Sequence, residues 1–241
     1  MRISFDMDGV LADMDGALAR VAEQEFGVTP KAAVREAAAG DADQAADEAD
    51  GNGAAVLASL SPRQQSRLWQ RCRGTRNFWE TLDECEPGVV RRVQKLAHDL
   101  QWDVLFVTQR PPSVGRTTQL QTQRWLRRHG FEYPAVYTTV GSRGAIAAAL
   151  TLDAHIDDRL QHCVDVATES KAWPILVWRD PGSFDRIRAG ASNLGIAVVA
   201  AVAEALDRIA AADRAPAAQA DASSLLDRLR RAFKEPPGVK R

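Results

Sequence analysis

The sequence has 241 residues, 45% of them hydrophobic, which suits one medium domain with an insertion, or two small ones, and argues against wholesale disorder. The net charge of −1 gives no global basic signature of nucleic-acid binding, so any such role needs a local patch. Three cysteines, Cys72, Cys85 and Cys163, form no CxxC pair and are odd in number, which disfavours a zinc knuckle or a secreted disulfide framework. Neither a signal peptide nor an apolar run of about 20 residues is visible, so the expectation is a cytoplasmic protein with no membrane contact.

Apolar, β-branched runs at residues 2–5, 103–107, 135–137, 154–156, 175–178 and 196–199 predict strands. Near-continuous apolar strands of this kind belong to a parallel sheet covered on both faces. Between them, Val89, Val93, Leu96, Ala97 and Leu100 fall on one helical face, with Pro87 and Gly88 at its start. Residues 117–129, ended by Gly130, and 143–150 predict two more helices. The alternation implies an α/β doubly wound, Rossmann-like core. In such sheets ligands gather at the carboxyl ends of strands, and Asp6, Thr108 and the pair Asp157–Asp158 all stand at predicted strand ends.

Residues 14–85 break the alternation and read as a small helical cap inserted after the first strand; the core is then 1–13 and 86–212, with a tail at 213–241. The Ala/Asp-rich stretch 31–60 predicts a long surface helix or disorder, and its acids Asp41, Asp43, Asp47, Glu48 and Asp50 a solvated face rather than a calcium loop. Ser61–Pro62 predicts a helix start and Gly74 its stop. Arg63, Arg67 and Arg71 share one face of that helix, read as a solvated stripe in preference to a funnel for anions. Leu225, Leu226, Leu229 and Phe233 form an amphipathic stripe in the tail, expected to dock on the core. His155 is read as structural, Arg159 as a surface or ion-pairing residue, and Asp13 and Asp15 as loop or helix-start acids.

A strand running into Asp6-Met7-Asp8-Gly9-Val10 is more specific than a bare DxD. With Thr108 in VTQR, Arg143 in GSRG and Asp157-Asp158 in HIDDR, it resembles the haloacid dehalogenase superfamily of phosphohydrolases, and in order and spacing the 5′(3′)-deoxyribonucleotidases. The similarity covers residues 1–13 and about 76–180. It implies a haloacid dehalogenase core with Asp6 as nucleophile, Asp8 as acid and base, Thr108 as a hydroxyl donor to a phosphoryl oxygen, and Mg²⁺ as cofactor. The metal ligands it implies are the Asp6 carboxylate, the Asp8 backbone carbonyl and Asp158, with Asp157 in support. Gly9 would let the backbone approach the phosphoryl group. Arg143 stands where the family has lysine; it keeps the charge and changes the geometry. Arg110, in the VTQR run, and Phe78 and Trp79 are candidates for substrate binding, the aromatics by stacking on a base or, equally, by packing the junction. The expected substrate is a small phosphate monoester such as a nucleoside monophosphate, preferred over nucleic acid. The rival readings are a polynucleotide 3′-end phosphatase and a catalytically silent domain that binds a protein partner.

Overall fold

The computed structural model describes residues 1–27 and 54–214. The 225–233 stripe and residues 31–53 of the Ala/Asp-rich stretch fall outside them; the end of that stretch carries a short helix, Ala54–Ala58.

Six strands form one parallel sheet: β1 (Arg2–Phe5), β2 (Asp103–Thr108), β3 (Ala135–Thr138), β4 (Ala154–Asp157), β5 (Trp173–Val177) and β6 (Ala197–Val199), in the order β3-β2-β1-β4-β5-β6. Every residue of β4 and β5 is buried, as expected of strands covered by helices on both faces. The covering helices are α4 (Val89–Leu100), α5 (Thr118–Arg128), α6 (Arg143–Ala149), α7 (Leu160–Glu169), α8 (Phe184–Asn193) and α9 (Val202–Arg214). The last three carry no pattern singled out in the sequence. Helix α9 runs two residues beyond the expected end of the core at 212, burying Val202, Ala205, Leu206 and Ile209.

The chain builds outward from β1 through β2 to β3, then crosses back to β4 on the other side of β1. That reversal opens a crevice between the carboxyl ends of β1 and β4, where open α/β sheets bind ligands. The register aligns the strand ends. Phe5 pairs with Phe106 on one side and Ile156 on the other, so Asp6, Thr108 and Asp157–Asp158 emerge on one rim.

The inserted segment is helical in α1 (Met14–Phe26), α2 (Ala54–Ala58) and α3 (Pro62–Gly74), followed by a short 3-10 turn at Phe78–Glu80. Ser61 and Gln64 cap α3 reciprocally and Pro62 follows at its first turn. Asp13 caps α1, accepting from the Gly16 amide at 2.9 Å, which is the helix-start role expected of it. Leu18, Leu68, Cys72, Phe78 and Trp79 belong to the same apolar cluster as Phe5, Phe106 and Ile156, so these helices share the core of the sheet. Arg67 and Arg71 pair with Glu25 of α1 at 3.6 and 3.1 Å while staying largely solvated. Among the described residues no helix is long and apolar enough to cross a membrane.

Candidate active site

After β1 the chain turns sharply: the Leu11 and Ala12 amides both donate to the Met7 carbonyl, at 2.9 and 2.7 Å. Gly9 takes φ 77° in this turn, a conformation that costs a residue with a side chain about 1 kcal/mol or more. The turn points the Asp6 carboxylate into the crevice. Asp6 is 6% exposed, and its Oδ2 accepts from the Asp8 amide at 3.0 Å.

Arg143 reaches the same carboxylate from across the sheet. It is the first residue of α6, whose N-cap Ser142 donates its hydroxyl to Glu169 on α7 at 2.7 Å. Gly144 seats the two helices together, since a Cβ there would lie 2.1 Å from the Asp165 carbonyl oxygen. So placed, Arg143 is 2% exposed, donates Nη2–H to Asp6 Oδ1 at 3.1 Å and lies 3.8 Å from Asp157 Oδ2. Arg143 thus stands at the first position of the helix between β3 and β4.

Asp157 is fully buried and satisfied on every side. It accepts from His155 Nε2 and His162 Nδ1, each at 3.0 Å, and from the Arg159 amide at 2.9 Å. Burial works against its charge, but the two imidazoles outweigh it and hold the carboxyl well below the usual range. His155 is linked in turn to Ser4 Oγ at 2.7 Å. His155 is therefore structural as expected, and it also braces the acid. Arg159 is exposed, in keeping with the surface residue expected, and contributes its backbone amide to Asp157. Asp158, 5% exposed, follows at the end of β4.

The burial of Asp6, the negative charge of Asp157 and, more weakly, that of Asp8 overcome the attraction of Arg143 and push the Asp6 carboxyl up to about 7. Arg143, the guanidinium in contact with it, does not offset the cost of that burial. Among the described residues, three donor atoms on two residues of the crevice are also buried with no hydrogen-bond partner: Thr108 Oγ1, and Nε and Nη1 of Arg143, the Nε lying 3.8 Å from Asp157 Oδ2. Buried donors rarely stay unpaired, so the crevice presents an unfilled demand for acceptor oxygens.

The sequence reading misses what Arg110 does. Its guanidinium, fully buried, grips Asp8 with Nε at 2.8 and 3.1 Å and Nη2 at 2.5 Å, donates Nη1–H to Thr122 at 3.0 Å, and lies 4.9 Å from the Trp79 ring centroid. It orients an acid of the site, where direct substrate binding was expected. Phe78 and Trp79 are 3% and 1% exposed and meet edge to face; the Trp79 indole donates to the Pro111 carbonyl at 2.9 Å. Neither ring has a face free for a base, so of the two readings the junction packing is the one realised.

A second unforeseen brace holds the turn after Asp6. Arg179, just beyond β5, donates to the Gly9 carbonyl and, at 3.2 Å, to that of Val10, and pairs with Glu86 at 2.8 Å. Glu86 accepts in turn from the Val202 and Ala203 amides at the start of α9, at 2.7 and 3.0 Å. Nothing in the local sequence around Glu86 or Arg179 signals this contact.

Among the described residues no cluster of three or more His, Cys, Asp and Glu side chains is arranged as a metal site. Magnesium does not require one: it retains several waters and takes one or two carboxylates. Asp6 and Asp158, at the adjacent ends of β1 and β4, are the carboxylates that would take it. The Asp8 side chain is turned toward Arg110, which leaves its carbonyl as the available oxygen. Asp157 is fully engaged by its histidines and suits a supporting role.

No family model matches the chain, and no curated protein matches it. Several solved structures resemble it in chain path. A haloacid dehalogenase-like family hydrolase from Xanthomonas campestris is 15% identical, covering 81% of this chain and 97% of its own, with a TM-score of 0.39. A proposed beta-phosphoglucomutase from Thermotoga maritima is 17% identical, with 86% and 96% covered and a TM-score of 0.46. A hydrolase from Pseudomonas syringae is 14% identical, with 87% and 99% covered and a TM-score of 0.46. None of these three is described as a nucleotidase. Likeness at this level carries no function across, and function is argued from the site alone.

Proposed function

We propose that this protein is a phosphoric monoester hydrolase that works through an aspartyl phosphate on Asp6, with Mg²⁺ as cofactor and nucleoside monophosphates among its candidate substrates. The observation that carries this reading is the set of unanswered donors, Thr108 Oγ1 and Arg143 Nε and Nη1, buried in the crevice that holds the Asp6 carboxylate. A tetrahedral phosphoryl group supplies oxygens for those donors and an electrophile for the carboxylate.

Asp6 Oδ attacks phosphorus; the new O–P bond forms as the bond to the leaving alkoxide breaks, and Asp8 gives that oxygen its proton. Asp8 then takes a proton from water, whose oxygen attacks the acyl phosphate, frees inorganic phosphate and restores Asp6. Arg110 holds Asp8 by two nitrogens, which fixes the shuttle's position between the steps. Arg143 and Thr108 donate to the transferring oxygens, where charge grows in the transition state. Asp6, Asp158 and the Asp8 carbonyl would hold Mg²⁺, which would supply charge neutralisation at the phosphoryl group.

The test is phosphate release from p-nitrophenyl phosphate and from nucleoside monophosphates. Turnover is expected with Mg²⁺, none with EDTA, and recovery on adding Mg²⁺ back. Full activity in chelator, or none under any condition, contradicts the reading.

A further inference from the structure

Two segments at the rim of the crevice are stitched together. The Asn77 amide donates to the Val114 carbonyl at 2.7 Å, the Val114 amide to the Arg73 carbonyl at 2.8 Å, and the Arg116 amide to Asn77 Oδ1 at 2.9 Å. The loop that carries Val114 and Arg116 starts at Thr108 and Arg110, inside the site. The stitching therefore brings Arg73 and Arg76 from the exit of α3 alongside Arg116, at the end of the sheet where Asp6 lies.

Arg116 continues the band. With Arg124 and Arg128 of α5 it surrounds one carboxylate, Glu80, at 3.4, 3.2 and 3.3 Å. Glu80 is 7% exposed, whereas the side chains of the three arginines are 40%, 49% and 56% exposed. A buried carboxylate accounts for one or two of these cations, and the solvent side of each guanidinium remains available. Arg73 and Arg76 are exposed and have no ion pair among the described residues. Five guanidinium groups against one carboxylate leave a surplus of four positive charges (5 − 1), in a chain whose net charge is −1.

We propose that this band seats further phosphates of the substrate, so that the ester cleaved at Asp6 is the terminal phosphate of a single-stranded phosphodiester chain. The inference rests on the phosphomonoesterase reading and narrows its substrate class. Guanidinium forks match phosphate oxygens, and several cations along one path bind a polyanion by releasing its counterions.

The test uses the full chain carrying Asp6→Asn, which binds without turning over. Fluorescence anisotropy with a short, labelled, 3′-phosphorylated single-stranded DNA is read between 50 and 200 mM salt. Contacts from the three rim arginines, Arg73, Arg76 and Arg116, give a slope of log affinity on log salt near −2, or roughly a twentyfold loss over that range. Adding Arg73→Gln and Arg76→Gln should reduce the slope by about 1.4 and the affinity at low salt roughly tenfold. Both side chains are exposed, so the melting temperature should not move. In the active chain the same pair of substitutions should lower kcat/KM for the oligonucleotide, relative to a nucleoside monophosphate, by a similar factor. RNA and 5′-phosphorylated arms identify which strand and which end are taken. Salt-independent binding, or an unchanged ratio in the variant, overturns the proposal. Hydrolysis of small esters without oligonucleotide binding overturns the band alone, whereas binding without any hydrolysis overturns the catalytic reading and with it the substrate role.

Discussion

Asp6→Asn removes the charge at the centre of the site with almost no change in shape, and it should separate function from stability. The Asp6 carboxyl is raised from an ordinary 3.8 to about 7, mainly by burial and by the charge of Asp157. A raised acid contributes stability that is fully present below its unfolded pKa and is lost as pH rises through the folded one. Between about pH 4 and 7 the unfolded chain has released this proton while the folded chain keeps it, so stability falls with pH across that window. Above it the penalty is constant, about 4 kcal/mol as an upper bound, from roughly three units at 1.36 kcal/mol each. Asparagine escapes the penalty but weakens the 3.1 Å contact with Arg143. The expected net gain at pH 8 is about 1–2 kcal/mol, a rise of a few degrees in Tm. The gain should fall by up to about 2.7 kcal/mol by pH 5, two units below the folded value at 1.36 kcal/mol each, and so reverse sign. Thermal melts of both proteins in chelator at the two pH values, with turnover measured alongside, check this. A variant that is less stable than wild type at pH 8, or a difference equal at both pH values, would refute the electrostatic account of Asp6.

Arg143→Ala should lower kcat by at least about a hundredfold, since its charge acts where the transition state develops, while Arg143→Lys should stay within roughly tenfold; steady-state kinetics distinguish them. Arg110→Gln should reduce kcat more than it raises KM, because it frees the proton shuttle, and should destabilise the fold by about 3–5 kcal/mol by leaving Asp8 without its buried partner; kinetics and urea denaturation read the two effects. Trp79→Ala should cost about 3–5 kcal/mol of stability and reduce turnover on nucleotides and aryl phosphates alike, since the indole packs the junction. Selective loss on nucleotides would restore the stacking role.

The strands were legible because a buried parallel strand is largely apolar on both faces, as the continuous apolar stretches at residues 104–107 and 175–177 are. Arg143 was legible through its place between the β3 and β4 patterns, and the start of α6 at Arg143 follows from Ser142 as a cap. The contacts that organise the site were not legible. Arg110 and Asp8 are 102 residues apart, and Arg179 and Gly9 170, so no local period joins them. The part played by Arg110 depends on which of several arginines the fold turns inward, which tertiary packing alone decides. Phe78 and Trp79 show the same limit: an aromatic pair at a junction reads identically whether its faces are covered or open. Glu80 offered no signal, because three arginines from two other segments converge on it only in the folded chain.

The most direct measurement is capture of the covalent intermediate. Wild-type protein with Mg²⁺ and an aryl phosphate is quenched in acid within a turnover, digested, and weighed by mass spectrometry. The mechanism predicts the mass of one phosphoryl group on the peptide containing Asp6, absent in Asp6→Asn and in EDTA. Rapid turnover with no phosphoryl group on that peptide, or a phosphoryl group elsewhere, would contradict Asp6 as the nucleophile.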